Sequence, residues 1–118
     1  MTTIILDTSI LLTALHCKID LVAELNNLLD TNFTLSIIDK TLAELRGKKL
    51  EKLAKDYIMK HNITIIPTSQ DKNVDNLILD HLTPATMVAT QDRKLKEKLK
   101  KRKTAIITIR QQRYLALV

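Results

Sequence analysis

The 118-residue chain has one glycine (Gly47), one cysteine (Cys17), two prolines (Pro67 and Pro84), no tryptophan and only 3% aromatic residues. Each scarcity excludes something. A single cysteine leaves neither a disulfide framework nor a cysteine-based zinc site. His16, His61 and His81 show no paired spacing for zinc either, and read as ordinary surface or core residues. A single glycine leaves no glycine-rich loop to cradle a nucleotide's phosphates. With so little glycine and proline, and no internal repeat, no linker divides the chain, and one domain over residues 1–118 with a modest core is expected. Apolar runs such as "IIL" are far too short to span a bilayer or to act as the apolar part of a signal peptide. A cytoplasmic protein is therefore expected.

Charge is abundant but unevenly placed. The formal net charge is +6. Residues 93–103 hold eight of the nineteen Lys and Arg and one of the thirteen acids, leaving eleven bases against twelve acids elsewhere. The basicity is a local patch. It suits a nucleic-acid or other anionic partner, and it equally suits a solvated helix face.

Five short runs have strand composition: "TIIL" at 3–6, "TLSII" at 34–38, "ITII" at 63–66, "ATMVAT" at 85–90 and "AIITI" at 105–109. They are apolar nearly throughout, as expected of strands covered on both faces. Helical stripes lie between them: Leu21, Val22, Leu25, Leu28 and Leu29; then Leu50, Leu53, Ala54, Tyr57 and Ile58; then Val74, Leu77, Ile78 and Leu82. Met59 and Met87 read as core, and Leu95 and Leu99 as the docking pair of a basic helix. Tyr114 reads as core or dimer packing ahead of base stacking. Alternating strand and helix predicts an α/β sandwich with a mainly parallel sheet.

Sites in such sheets form beyond the carboxyl ends of the strands. Four acids fall there. Asp7 follows the first strand, Glu44 lies in the helix after the second, Asp75 starts the helix after the third, and Asp92 follows the fourth. Capping explains Asp92 or Asp75 singly, and Asp39 and Asp20 also read as helix caps. Four carboxylates at one edge repel one another unless a hard divalent cation such as Mg²⁺ or Mn²⁺ sits among them. Such an ion can activate water and clamp a phosphodiester.

The stretches "IILDTSILL" at 4–12, "LSIIDKTLAEL" at 35–45, "VDNLIL" at 74–79 and "VATQDRKL" at 88–95 resemble, in order and spacing, the four acidic motifs of PIN-domain nucleases. The closing "AIITIRQQRYLAL" resembles the last strand and tail of archaeal PIN proteins related to small-subunit-processome nucleases. The resemblance implies an α/β/α sandwich around five parallel strands in the order 3-2-1-4-5. It also implies metal-dependent endonucleolytic cleavage of RNA by water, leaving 3′-hydroxyl and 5′-phosphate ends. Asp7 and Asp92 would be the principal metal ligands, with Glu44 and Asp75 completing the set directly or through water. Thr90 matches a supporting hydroxyl position. Ser9 stands where many relatives have asparagine, a shorter arm beside Asp7.

Arg93, Lys94, Lys96, Lys98, Lys100, Lys101, Arg102 and Lys103, with Arg110 and Arg113, are the expected RNA-binding set. Ribosomal RNA is the expected substrate. A VapC-type toxin cleaving transfer or ribosomal RNA under an antitoxin's control is an alternative, as is a non-catalytic RNA-binding or assembly factor of the same fold. A flavodoxin-like binding module is the reading left if the resemblance fails. PIN domains often pair, so a homodimer also stands as an expectation.

Overall fold

Successive residues of the central strands face opposite helical layers, which explains why the strands are apolar nearly throughout. In the computed structural model, which describes residues 1–69 and 71–118, Ile4, Leu6, Leu35, Ile37, Ala89, Ile107 and Ile109 belong to one core. Their neighbours Ile5, Ile38, Val88 and Ile106 belong to a second core on the other face.

The elements run β1 (Thr2–Leu6), α1 (Thr8–His16), α2 (Leu21–Leu28), β2 (Phe33–Ile38), α3 (Asp39–Leu45), α4 (Glu51–Lys60), β3 (Thr64–Ile66), α5 (Val74–Asp80), β4 (Thr86–Ala89), α6 (Arg93–Lys101), β5 (Ala105–Arg110) and β6 (Tyr114–Leu117). Ile10, Leu11 and Ala14 of α1, Leu21 and Leu25 of α2, and Ala54 and Ile58 of α4 fill the first core. Val74, Leu77 and Ile78 of α5, with Leu95 and Leu99 of α6, fill the second. The result is the expected three-layer α/β/α sandwich. No helix among the described residues is long and apolar enough to cross a membrane.

Among the described residues the sheet has six strands, in the order β3-β2-β1-β4-β5-β6. The first five pair in parallel, in the order that the resemblance to PIN domains implies. The addition is β6, which pairs antiparallel with β5 (Ile109 opposite Leu115, Ile107 opposite Leu117). The reversal is a tight turn in which Arg113 N–H donates to the Arg110 carbonyl at 3.1 Å. Gln111 and Gln112 both take positive φ, 54° and 55°, as the twist of a hairpin demands.

Several local expectations change. Leu53 and Met59 on α4 are 55% and 76% exposed, so neither is core. Tyr114 is also exposed, at the outer edge of the sheet. Asp39 does not cap α3. Its carboxylate instead accepts from Thr68 N (2.9 Å) and Thr68 Oγ1 (2.6 Å), tying the end of β2 to the loop after β3. Asp20 does cap α2, and it accepts a 2.6 Å hydrogen bond from the Tyr57 hydroxyl of α4.

The single glycine sits where the backbone requires it. Between α3 and α4, Lys48 N–H donates to the Leu45 carbonyl at 3.0 Å across a turn whose third residue is Gly47, at φ 77°. That is the type II turn position, which L side chains resist.

Candidate active site

Strand order reverses direction at β1, whose neighbours β2 and β4 carry the chain toward opposite edges. Ligand sites gather at such a switch, beyond the carboxyl ends of the strands. Asp7 follows β1 directly, and its backbone N–H still donates to the Ala89 carbonyl of β4 at 2.9 Å. The two strand ends therefore lie side by side.

Asp7 is buried, at 4% exposure, and its Oδ2 accepts two hydroxyl hydrogen bonds, from Ser9 Oγ (2.7 Å) and Thr90 Oγ1 (2.8 Å). Each hydroxyl also accepts from the loop after β4: Ser9 from Gln91 N (3.0 Å) and Thr90 from Asp92 N (3.0 Å). Both hydroxyl bonds to the Asp7 carboxylate are thus coupled to bonds that fix the Asp92 loop. Because both donations fall on Oδ2, Oδ1 accepts no hydrogen bond from the described residues and is left for another partner. Serine at position 9 is long enough for both bonds.

Asp92 is the N-cap of α6, with Oδ1 accepting from Lys94 N at 2.9 Å. It caps a helix and also reaches the cluster, because a carboxylate has two oxygens. Asp75 projects from the first turn of α5. Carboxylate oxygens of Asp7, Asp75 and Asp92 all lie within 4.8 Å of one another. Burial first, then the charges of Asp7 and Asp92, push the Asp75 carboxyl up to about 6.

Glu44 lines the same cleft, of about 320 Å³, together with Thr8, Ser9, Leu12 and Lys48. It stands outside the three-acid cluster and is held by a hydrogen bond from the Thr8 hydroxyl, which also meets Thr41 Oγ1 at 3.2 Å. The donor set is all oxygen and negatively charged. That chemistry fits a hard divalent cation and not a soft one.

The basic run diverges from this site along its length. Helix α6 starts beside Asp92 and descends against the strand direction. By its end, Arg102 and Lys103 share a surface cavity with Thr2, Thr86 and Ala105, the first residues of β1, β4 and β5. Lys100, Lys101, Arg102 and Lys103 therefore lie toward the opposite edge of the sheet. At about 1.5 Å per residue, nine helical residues cover roughly 13 Å. Arg93, Lys94 and Lys98 are exposed near the front, and Lys98 is close enough to Asp75 to counter its rise. Lys96 turns inward, its Nζ donating to Thr108 Oγ1 at 2.8 Å, and burial lowers its pKa. Arg110 and Arg113 are exposed on the β5–β6 turn, at the acidic edge.

Three residues here escape sequence reasoning. Thr8 is marked only by adjacency to Asp7. Lys48 is brought in by the Gly47 turn, which no local signal aims at the acids. Gln91 acts like a strand residue: its Oε1 accepts from Ile109 N (2.6 Å) and Thr108 Oγ1 (2.7 Å), and its Nε2 donates to the Ile109 carbonyl (3.2 Å). It fastens the Asp92 loop to β5.

A parallel α/β sheet with carboxylates converging at its switch point defines the class. The chain belongs to the PIN-like domain family, whose model matches residues 4–112. Among solved structures, that of the PIN domain endonuclease Utp24 is similar, with a TM-score of 0.81 and 23% identity over 98% of this chain and 90% of that one. No curated protein sequence matches the chain.

Proposed function

We propose that this protein is a divalent-metal-dependent endoribonuclease. One observation carries the reading: in a PIN-like fold, carboxylates delivered by three separate segments converge within 4.8 Å at the switch point. Three such groups, one of them with its pKa raised, are a costly arrangement for a fold to keep unless a cation holds them.

Asp7, Asp75 and Asp92 would hold Mg²⁺ or Mn²⁺, with Glu44 reached directly or through water. When bound, such an ion supplies Lewis-acid polarisation of the scissile phosphate and a lowered pKa for attacking water. The protein's residues supply the rest. Ser9 and Thr90 fix Asp7 in one orientation. Thr8 holds Glu44 beside the cluster, where its carboxylate can take a proton from water. Exposed Arg93, Lys94, Lys98, Arg110 and Arg113 draw phosphates to the acidic edge, while Lys100, Lys101, Arg102 and Lys103 extend the surface down α6. The expected substrate is ribosomal RNA, on the resemblance of the closing segment to processome-related PIN proteins.

The test compares wild type with Asp7→Asn and Asp92→Asn on folded ribosomal and transfer RNA, each with Mn²⁺, Mg²⁺ or EDTA. Wild type is expected to cut ribosomal RNA in Mn²⁺ or Mg²⁺ and not in EDTA. Each variant should lose at least about a hundredfold in rate. RNA binding without metal-dependent cleavage would instead establish a binding factor, and preference for transfer RNA would favour a toxin.

A further inference from the structure

A second groove adjoins the acidic cleft on the side away from α6. It has a volume of about 450 Å³ and runs along the outer face of α1, past Leu12 and His16. Lys48, Lys49 and Leu50 form one wall, and Gln112 of the β5–β6 turn contributes to the other. Leu12 and Lys48 line both this groove and the acidic cleft, so the two are continuous.

We propose that this groove carries the single RNA strand leading away from the cut phosphate, with Lys48 and Lys49 binding its backbone. The proposal rests on the nuclease reading for its substrate class. Charge supports it: both lysines are exposed, and among the described residues neither forms an ion pair. A cationic wall beside four carboxylates suits a polyanion that must approach them. The floor supports it too. Leu12 and Leu50 are half-buried and apolar, a surface on which unpaired bases can rest while their phosphates meet the lysines. The strand would then cross the site from the α6 side and leave along α1.

Salt dependence of binding provides the test. A fluorescein-labelled 12-nucleotide single-stranded RNA is titrated in EDTA with wild type, with Lys48→Gln/Lys49→Gln, and with Lys52→Gln/Lys60→Gln. The last pair removes the same charge from α4, outside the groove. The groove variant should bind about fivefold more weakly at low salt, and its log–log salt slope should shrink by about 1.4, at about 0.7 per lost phosphate contact. The α4 variant should stay near wild type. In Mn²⁺, the groove variant should cleave with raised KM and little change in kcat. Equal behaviour of the two double variants, or no RNA binding by wild type, overturns the groove. Binding that depends on Lys48 and Lys49 in a protein that never cuts would keep the groove and sink the nuclease reading. Cutting indifferent to both lysines would do the reverse.

Discussion

Asp75 is half-buried and sits beside the charges of Asp7 and Asp92. Burial and its two neighbours raise its carboxyl from an ordinary 3.8 to about 6. The folded state therefore holds this proton more tightly than the unfolded chain does. Without metal, this group favours folding most below about pH 4, loses that contribution as pH rises to about 6, and is a fixed cost above. Exposure to solvent screens the cost to on the order of 1 kcal/mol. Asp75→Asn should therefore raise the Tm of metal-free protein at pH 7 by about 3–5 °C. The same substitution should remove most of the stabilisation by Mn²⁺, which reaches about 2.7 kcal/mol at a hundred times Kd. In wild type the Mn²⁺ effect should fade below about pH 6, as protons compete for the same oxygens. Thermal melts at pH 4, 6 and 8, with Mn²⁺ or EDTA, check all three. A metal-free Tm that falls on Asp75→Asn would mean the carboxylate is held by protein contacts and is not strained.

At the scale of elements, sequence legibility depended on how local the deciding physics is. Strands β1 to β5 fall within a residue or so of their apolar runs, because burial on both faces writes itself into composition. Strand β6 was hidden because its turn carries Gln111–Gln112 in place of the Asn-Gly or Gly-Gly that marks a hairpin. Leu53 fits a helical stripe by spacing yet lies on the open side of α4, since period alone does not say how wide a stripe the core accepts. Asp39 left its cap for Thr68, a partner 29 residues away. The β5–β6 turn yields a prediction of its own. A left-handed L residue costs roughly 1–2 kcal/mol, part of it offset by the unfolded-state entropy of glycine. Gln111→Gly should therefore stabilise the protein by about 0.5–1 kcal/mol in urea unfolding and leave RNA affinity unchanged. Destabilisation would mean that the Gln111 side chain, and not just its backbone, serves the fold.

Across the whole molecule, the acidic residues were legible as an ordered set because topology sends successive carboxyl ends to one edge. The course of the basic run was not, since a helix that starts at the site must end far from it. The far lysines of α6 and the near carboxylates of the strand ends thus sit at opposite edges of one small sheet. On the proposed function, cation and polyanion are nonetheless cooperative ligands, because the scissile phosphate has to come up to the carboxylates. Filling the carboxylates lowers the repulsion a phosphate meets, and a bound strand deepens the well that a cation enters. Thermodynamic linkage makes the two enhancements equal. Calorimetry with Mn²⁺ and a single-stranded DNA surrogate should find the affinity of each raised by the same factor when the other is present. In a cell the concentration of free divalent ion would then govern how tightly this protein holds its strand, and the strand would govern how readily it takes up the ion.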